Sequence, residues 1–347
     1  MTREPLVRLP AALAAPGPDG GARFVMGVDG GATKTLAAVL DLTELTLHLG
    51  HGGSSNPDAV GAQAATASLL KATDEAIGRA GVARDGLDAA VLAIAGTDTE
   101  TVAAHVREVR PASWLVVNDV VGAWAAATGA RPGVGAISGT GSNVFGVGPG
   151  LRTWRAGGWG HVLGDEGSGY RLAVDSIRAA LADRERSGPE TALSAAAVDF
   201  FDADSVEALA TLVYSKPLTK GEIAAFAVET ARVAHAGDTV ACGLYERAAV
   251  ALGGQVTAVI EQTGLTGEFP VGLIGSAFKA GALFVKPLAD VVRRAAPAAQ
   301  VGVVEIAPVG GCLLLAARAG GGEQSIDSPA LKTLLDAALA REGAFRE

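Results

Sequence analysis

The 347-residue chain is short of cysteine, aromatic side chains and charge. Its two cysteines, Cys242 and Cys312, lie far apart with no metal-ligand spacing around them. That excludes a disulfide framework and a cysteine-based zinc site, and it fits two reduced, buried thiols in a cytoplasmic protein. Charged residues are 19% of the chain, and 28 basic against 37 acidic residues give a net charge of −9. With no basic block, neither nucleic acid nor an anionic membrane is an expected partner. No apolar run approaches the ~18 residues that a membrane-spanning helix requires. The short apolar run at 11–15 lies between prolines and is too short for a signal peptide, so residues 1–23 read as a disordered tail. Two common phosphate signatures are absent as well. The Gly-x-x-x-x-Gly-Lys-Ser/Thr spacing does not occur, and Gly133-Val-Gly-Ala-Ile-Ser138 has a serine where a dinucleotide fingerprint needs its third glycine.

What the chain has is apolar residues, at 49%, and 47 glycines, about twice the usual share. The length predicts two domains with ample core. Two glycine turns, each directly after an apolar run, organise the reading. The first is Asp29-Gly-Gly-Ala-Thr-Lys-Thr35, between strands at 24–29 and 36–42. The second is Ser138-Gly-Thr-Gly-Ser-Asn143, between strands at 134–137 and 144–147. Turns of this kind bring backbone N–H groups and hydroxyls to an anion, because glycine permits close approach. Paired, one in each half-chain, they predict a split phosphate site made of Gly30, Gly31, Ala32, Thr33 and Lys34 with Ser138, Gly139, Thr140, Gly141 and Ser142. Asp29 can hold Mg²⁺ through water, as hard cations prefer. Asp119 stands at a strand end and helix start, where an N-cap and a general base are both open readings.

The rest is predicted from periodicity and breakers. Helices are expected at 59–80, 101–109 and 120–128, then 170–181, 190–201, 206–214, 220–236 and 239–262. Strands are expected at 45–49, 89–95, 114–117, 271–274 and 301–304, with a helix opening at Gly275-Ser276 and another at 309–318. Gly275 and Ser276 suit close approach to a nucleotide or a plain tight turn. Asp98 reads as a turn residue. In Gly157-Gly-Trp-Gly-His-Val-Leu-Gly-Asp-Glu-Gly-Ser-Gly169, His161 has no partners at zinc-ligand spacing, and Asp165 suits substrate hydroxyls. Trp159 suits core packing or a ligand equally.

These motifs, Val28-Asp-Gly-Gly-Ala-Thr-Lys34, Asn118-Asp119, Ile137-Ser-Gly-Thr-Gly-Ser-Asn143 and the 157–168 loop, resemble the actin-like sugar kinases. The likeness covers most of 24–318 and is to the N-acetylglucosamine kinase-like branch of the family that also holds the benzoyl-CoA reductase ATPase activators. It implies an α/β chain with two ribonuclease-H-like domains and an interdomain active-site cleft. The implied boundaries are 24–128 and 129–320, with the 309–318 helix returning to the first domain and a C-terminal extension at 321–347. It further implies ATP and Mg²⁺ as cofactors, Gly275 and Ser276 at the adenosine, and Asp119 as the base on the sugar 6-hydroxyl. Asn56, Asn143, Gly158, Trp159, Gly160 and Asp165 match positions that grip an amino sugar. The expected activity is phosphorylation of N-acetylglucosamine to its 6-phosphate, in carbohydrate metabolism. A glucosamine kinase on the same scaffold and, more distantly, a nucleotide-switched ATPase or regulator are the alternatives. The expected partner is a small-molecule amino sugar, and a homodimer is an assembly this reading admits. Two departures stand out. Ile94-Ala-Gly-Thr-Asp98 replaces the more usual Ser-Gly-Gly character, and no cysteine lies where an activator would hold an iron–sulfur cluster.

Overall fold

In the computed structural model, residues 7, 9–14, 21–31, 33–96, 99–215, 218–322 and 326–344 are described. Ala32, Thr97 and Asp98, each given a place above, lie outside the described residues. A single helical turn, α1 (Ala11–Ala14), precedes three strands, β1 (Phe24–Gly30), β2 (Thr35–Asp41) and β3 (Thr46–Gly52). Then come α2 (Pro57–Val60), α3 (Ala62–Ala80), β4 (Ala89–Ile94), α4 (Thr99–Val109), β5 (Trp114–Asn118) and α5 (Asp119–Thr128). The plan restarts with β6 (Gly133–Ser138), β7 (Ser142–Val147), β8 (Thr153–Gly157) and a turn of helix, α6 (Gly160–Leu163). A helical block follows: α7 (Gly169–Arg184), α8 (Leu193–Phe201), α9 (Val206–Ser215), α10 (Lys220–His235) and α11 (Thr239–Thr263). The last elements are β9 (Phe269–Ile274), α12 (Ala282–Ala295), β10 (Ala299–Val303), α13 (Pro308–Ala319) and α14 (Ser328–Ala344).

The strands form two five-stranded sheets, in the orders β3-β2-β1-β4-β5 and β10-β9-β6-β7-β8. Read from its other edge, the second order repeats the first. In the first sheet β1 is antiparallel to β2 and β2 to β3, while β1–β4 and β4–β5 run parallel. The parallel strands are apolar up to their C-terminal ends, where β1 carries Asp29 and β5 Asn118, and they need cover on both faces. Met26, Val28, Leu92 and Ile94 meet α3 through Leu69 and Ala72, and meet α4 through Val102 and Val106. Helix α13 packs on β1, β4 and α5, and Val309 to Ala317 are all buried. A helix apolar on every side has no other stable place, and burying each of Leu313, Leu314 and Leu315 contributes roughly 1.5–3 kcal/mol.

The chain divides into two compact units, Met1–Gly135 with Phe145–Trp154 and Val304–Glu347, and Ala136–Val144 with Arg155–Val303. Several elements differ from the sequence reading for local reasons. The expected 59–80 helix breaks at Gly61, whose φ of 80° is unavailable to most side chains. The helix expected from Gly275 through Phe284 is a 3₁₀ turn, Ser276–Ala280, followed by α12. Strand β8 and helix α14 were not expected at all. Alanine and charge spread around α14 hide its periodicity, yet Leu331, Leu335 and Ala338 are buried. Its Glu342 takes hydrogen bonds from Arg79 Nη1 at 2.6 Å and from the His51 ring at 2.5 Å. Within the segment read as a disordered tail, Leu13 of α1 is fully buried, and the Val7 carbonyl accepts from Thr153 Oγ1 at 2.9 Å.

Candidate functional site

In the first unit, Asp29 is the penultimate residue of β1, and after Gly30 the chain turns through Gly31 to Lys34 before β2. Gly31 N–H donates to the Lys34 carbonyl at 2.9 Å, which closes the turn. Burial pushes the Asp29 carboxyl up to about 6, against the opposing pull of Lys34. Among the described residues, none donates a hydrogen bond to this carboxylate. A side chain at Gly30 would overlap Ser55 Oγ, so the turn and the 53–56 segment touch backbone to side chain. That segment carries Asn56, whose Oδ1 accepts from Asp58 N–H at 2.8 Å and caps α2.

The same unit places Asp119 as the first residue of α5. The cap of that helix is Asn118, whose Oδ1 accepts from Val120 N–H at 3.3 Å. Asn118 Nδ2 also donates to the Gly96 carbonyl at 3.1 Å, fixing the end of β5 to the end of β4. Capping therefore falls to the neighbour, Asn118. Among the described residues no group of three or more His, Cys, Asp or Glu could hold a metal. A cation at Asp29 would take its remaining ligands from water and phosphate, as Mg²⁺ does, and a desolvated carboxylate at a strand end fits that use.

In the second unit, the Ser138–Asn143 turn is fastened to the loop after β8. Ser138 Oγ donates to the Gly167 carbonyl at 2.6 Å and Ser142 Oγ to the Glu166 carbonyl at 2.8 Å. Two of the three hydroxyls expected to face an anion thus face the protein instead. A turn this rich in glycine has little of its own to hold its shape, and these bonds supply it. Thr140 is left exposed.

Asp165 is 3% exposed, with a φ of 64°. Its Oδ1 accepts from Ser142 N–H at 3.2 Å, and its Oδ2 from Lys220 Nζ at 2.6 Å. Each oxygen thus holds one contact within the protein, and together they clamp the turn to α10. Asn143 Oδ1, in contrast, is buried without a partner among the described residues. Its amide lies against Gly158, where a side chain would overlap it. Trp159 is 57% exposed and so is not core, and its ring lies 5.2 Å from the Arg155 guanidinium.

Gly275, with a φ of 124°, ends β9 so close to β6 that any side chain would overlap the Ser138 carbonyl. The close approach brings Ser276 beside Gly139. Together they wall a cavity of about 540 Å³ whose lining includes Thr140, Gly221, Ala224 and Tyr245. Alanines from α10 leave the room, and Tyr245 closes it, its hydroxyl donating to the Ala227 carbonyl at 3.1 Å. Size and a lining of small side chains suit a flat organic ligand.

Residues 26–316 match the BadF/BadG/BcrA/BcrD ATPase family. The chain belongs to that family. An N-acetylmuramic acid/N-acetylglucosamine kinase of Clostridium acetobutylicum is 33% identical over 244 residues, 69% of this chain and 80% of the relative. An N-acetyl-D-glucosamine kinase of Dictyostelium discoideum is 28% identical over 312 residues, 84% of this chain and 97% of the relative. Among solved structures, a candidate N-acetylglucosamine kinase from Chromobacterium violaceum matches with a TM-score of 0.69 at 23% identity. It covers 85% of this chain and 99% of its own, and at that identity the likeness speaks for the fold. The two-domain α/β architecture of actin-like ATPases and sugar kinases is therefore the fold of this chain.

Within this ATPase-family chain, the first unit holds Asp29, Gly30, Gly31, Thr33, Lys34, Asn56 and Asp119. The second holds Ser138 to Asn143, Gly158, Trp159, Gly160, Asp165, Gly275 and Ser276. Sequence reasoning missed Lys220 and Gln255. Gln255 Nε2 donates to Glu166 Oε2 at 3.0 Å, tying α11 to the 157–168 loop. Nothing in sequence spacing links residues so distant. Lys220 did carry one signal. A lysine at the first position of a helix opposes the helix dipole, and such local conflict marks a residue kept for another purpose.

Proposed function

We propose that this protein transfers the γ-phosphoryl group of ATP to the 6-hydroxyl of an amino sugar, with N-acetylglucosamine as the preferred acceptor. One observation carries the reading. The same Ser138–Asn143 turn floors a nucleotide-sized cavity at Gly139 and Thr140, and ends on Asn143, whose buried Oδ1 has no donor among the described residues. A pure ATPase needs the first feature and has no use for the second. The two relatives named as N-acetylglucosamine kinases support the same substrate class.

In this reading adenosine occupies the cavity beside Gly275 and Ser276, and the backbone N–H groups of Thr140 and Gly141, in the turn that the Gly139 N–H to Gly141 carbonyl bond closes, receive phosphate oxygens. Lys34 and Thr33, in the turn that Gly30 and Gly31 open, hold the terminal phosphates. A Mg²⁺ ion bound through water at Asp29 would neutralise charge on the β- and γ-phosphates. Asn143 and Asn56, with the Gly158-Trp159-Gly160 segment, hold the sugar by its hydroxyls and acetamido group. Asp119 accepts the proton of the 6-hydroxyl as the oxygen attacks phosphorus in line with the departing ADP.

ADP release measured with N-acetylglucosamine, N-acetylmuramic acid, glucosamine, N-acetylmannosamine and glucose, beside a no-sugar control, tests the class. Turnover is expected to depend on sugar and to be greatest with N-acetylglucosamine. A rate that is unchanged by omitting sugar removes the kinase reading. A preference for glucosamine removes the acetyl pocket while keeping the reaction.

A further inference from the structure

We infer that Lys220 is a phosphate-binding residue of the nucleotide site, presented to the glycine turn by Asp165. The assignment rests on the nucleotide reading above and adds a residue and a role to it. Lys220 opens α10, far in sequence from either glycine turn. Its Nζ stands over the second turn: a methyl group placed on Gly141 would lie 3.1 Å from it. Its neighbour Gly221 lines the 540 Å³ cavity together with Gly139 and Thr140. Phosphates of a nucleotide in that cavity, following the turn toward Gly141, run into this ammonium.

The chemistry of the pair supports a ligand role over a purely structural one. Asp165 has lost nearly all its surface to the protein, while the Lys220 side chain keeps 34% of its own in solvent. An ammonium has three N–H donors, and the Asp165 contact at 2.6 Å uses one of them. Among the described residues no other acceptor is recorded for the remaining donors, and the turn beside them has its own two serine hydroxyls turned inward. The carboxylate thus does two things at once: Oδ1 shapes the turn through Ser142 N–H, and Oδ2 aims the cation that the turn lacks. Asp165 is a positioning residue in this account. The capping box of Thr219 and Glu222 holds the start of α10 in place despite the lysine.

Titration calorimetry of wild type, Lys220→Met and Lys220→Arg with ATP, ADP and adenosine tests the assignment. Lys220→Met is expected to bind ATP and ADP about 10- to 100-fold more weakly, the usual worth of a charged hydrogen bond. Adenosine binding is expected to stay within about twofold of wild type, and Lys220→Arg to recover most of the loss. Because Lys220→Met strands a buried carboxylate, Lys220→Met combined with Asp165→Asn is measured as well, and the same phosphate-selective loss is expected. Equal weakening of ATP, ADP and adenosine, or no weakening in a folded variant, overturns the assignment alone. Wild-type protein that binds none of the three overturns the nucleotide reading and the assignment with it.

Discussion

Asp119→Asn leaves ADP binding within about twofold of wild type and lowers kcat by roughly two to four orders of magnitude, the usual worth of a general base. Asn118, not Asp119, caps α5, so the helix keeps its first hydrogen bond when Asp119 changes. What the fold loses is the attraction of a carboxylate in the first helical turn to the helix dipole, about 0.3–1 kcal/mol. Asparagine preserves volume and hydrogen bonding but cannot accept the proton of the attacking hydroxyl. Steady-state kinetics paired with calorimetry on the same preparation separates the two effects. A variant that retains kcat within about tenfold takes Asp119 out of the base role.

Asp29→Asn makes the ligand-free protein more stable at neutral pH and inactive as a kinase. In the folded chain burial holds the Asp29 carboxyl near 6, against an ordinary value of 3.8. Well below pH 3.8 the group is protonated in both folded and unfolded chains and costs nothing. As pH rises from there, the unfolded chain releases its proton first, so stability falls until the folded carboxyl ionises near pH 6. Above that the penalty is complete and amounts to about 2–3 kcal/mol, taking ~1.4 kcal/mol for each unit. Removing the charge removes the penalty, minus whatever the buried amide costs in its place. Thermal melts of the ligand-free protein are expected to show the variant higher by a few degrees at pH 7.5, with the difference shrinking as pH falls through 6 toward 3.8. A variant that melts lower at pH 7.5 contradicts the burial argument. The stored penalty is what a bound cation would release, which is how a site is made costly when empty and favourable when filled.

Both predictions rest on residues legible in the sequence, because strand ends are legible. Asp29 and Asp119 each follow an apolar run at a point where the periodicity changes, and each is met by a glycine turn or a helix start. The two-domain plan was legible for the same reason, since strand, turn, strand and helix recur in both halves. Side-chain direction was not. Ser138 and Ser142 look like phosphate hydroxyls until their partners at Gly167 and Glu166 are seen. Asp165 reads from its loop as a hydrogen-bond acceptor, with no sign that Lys220 stands on its second oxygen. Each of these pairs joins segments remote in sequence, and local pattern carries no record of such contacts. Helix α14 escaped because Ala and charge alternate around it without a clear apolar stripe, although Leu331 and Leu335 sit one turn apart and both are buried.

Phosphorus NMR of a reaction containing ATP, Mg²⁺ and N-acetylglucosamine tests the central claim most directly. The account predicts a sugar 6-phosphate resonance that grows in step with ADP, with inorganic phosphate staying at background. ADP accompanied by inorganic phosphate, and no phosphosugar, would contradict it and leave a nucleotide hydrolase on the same fold.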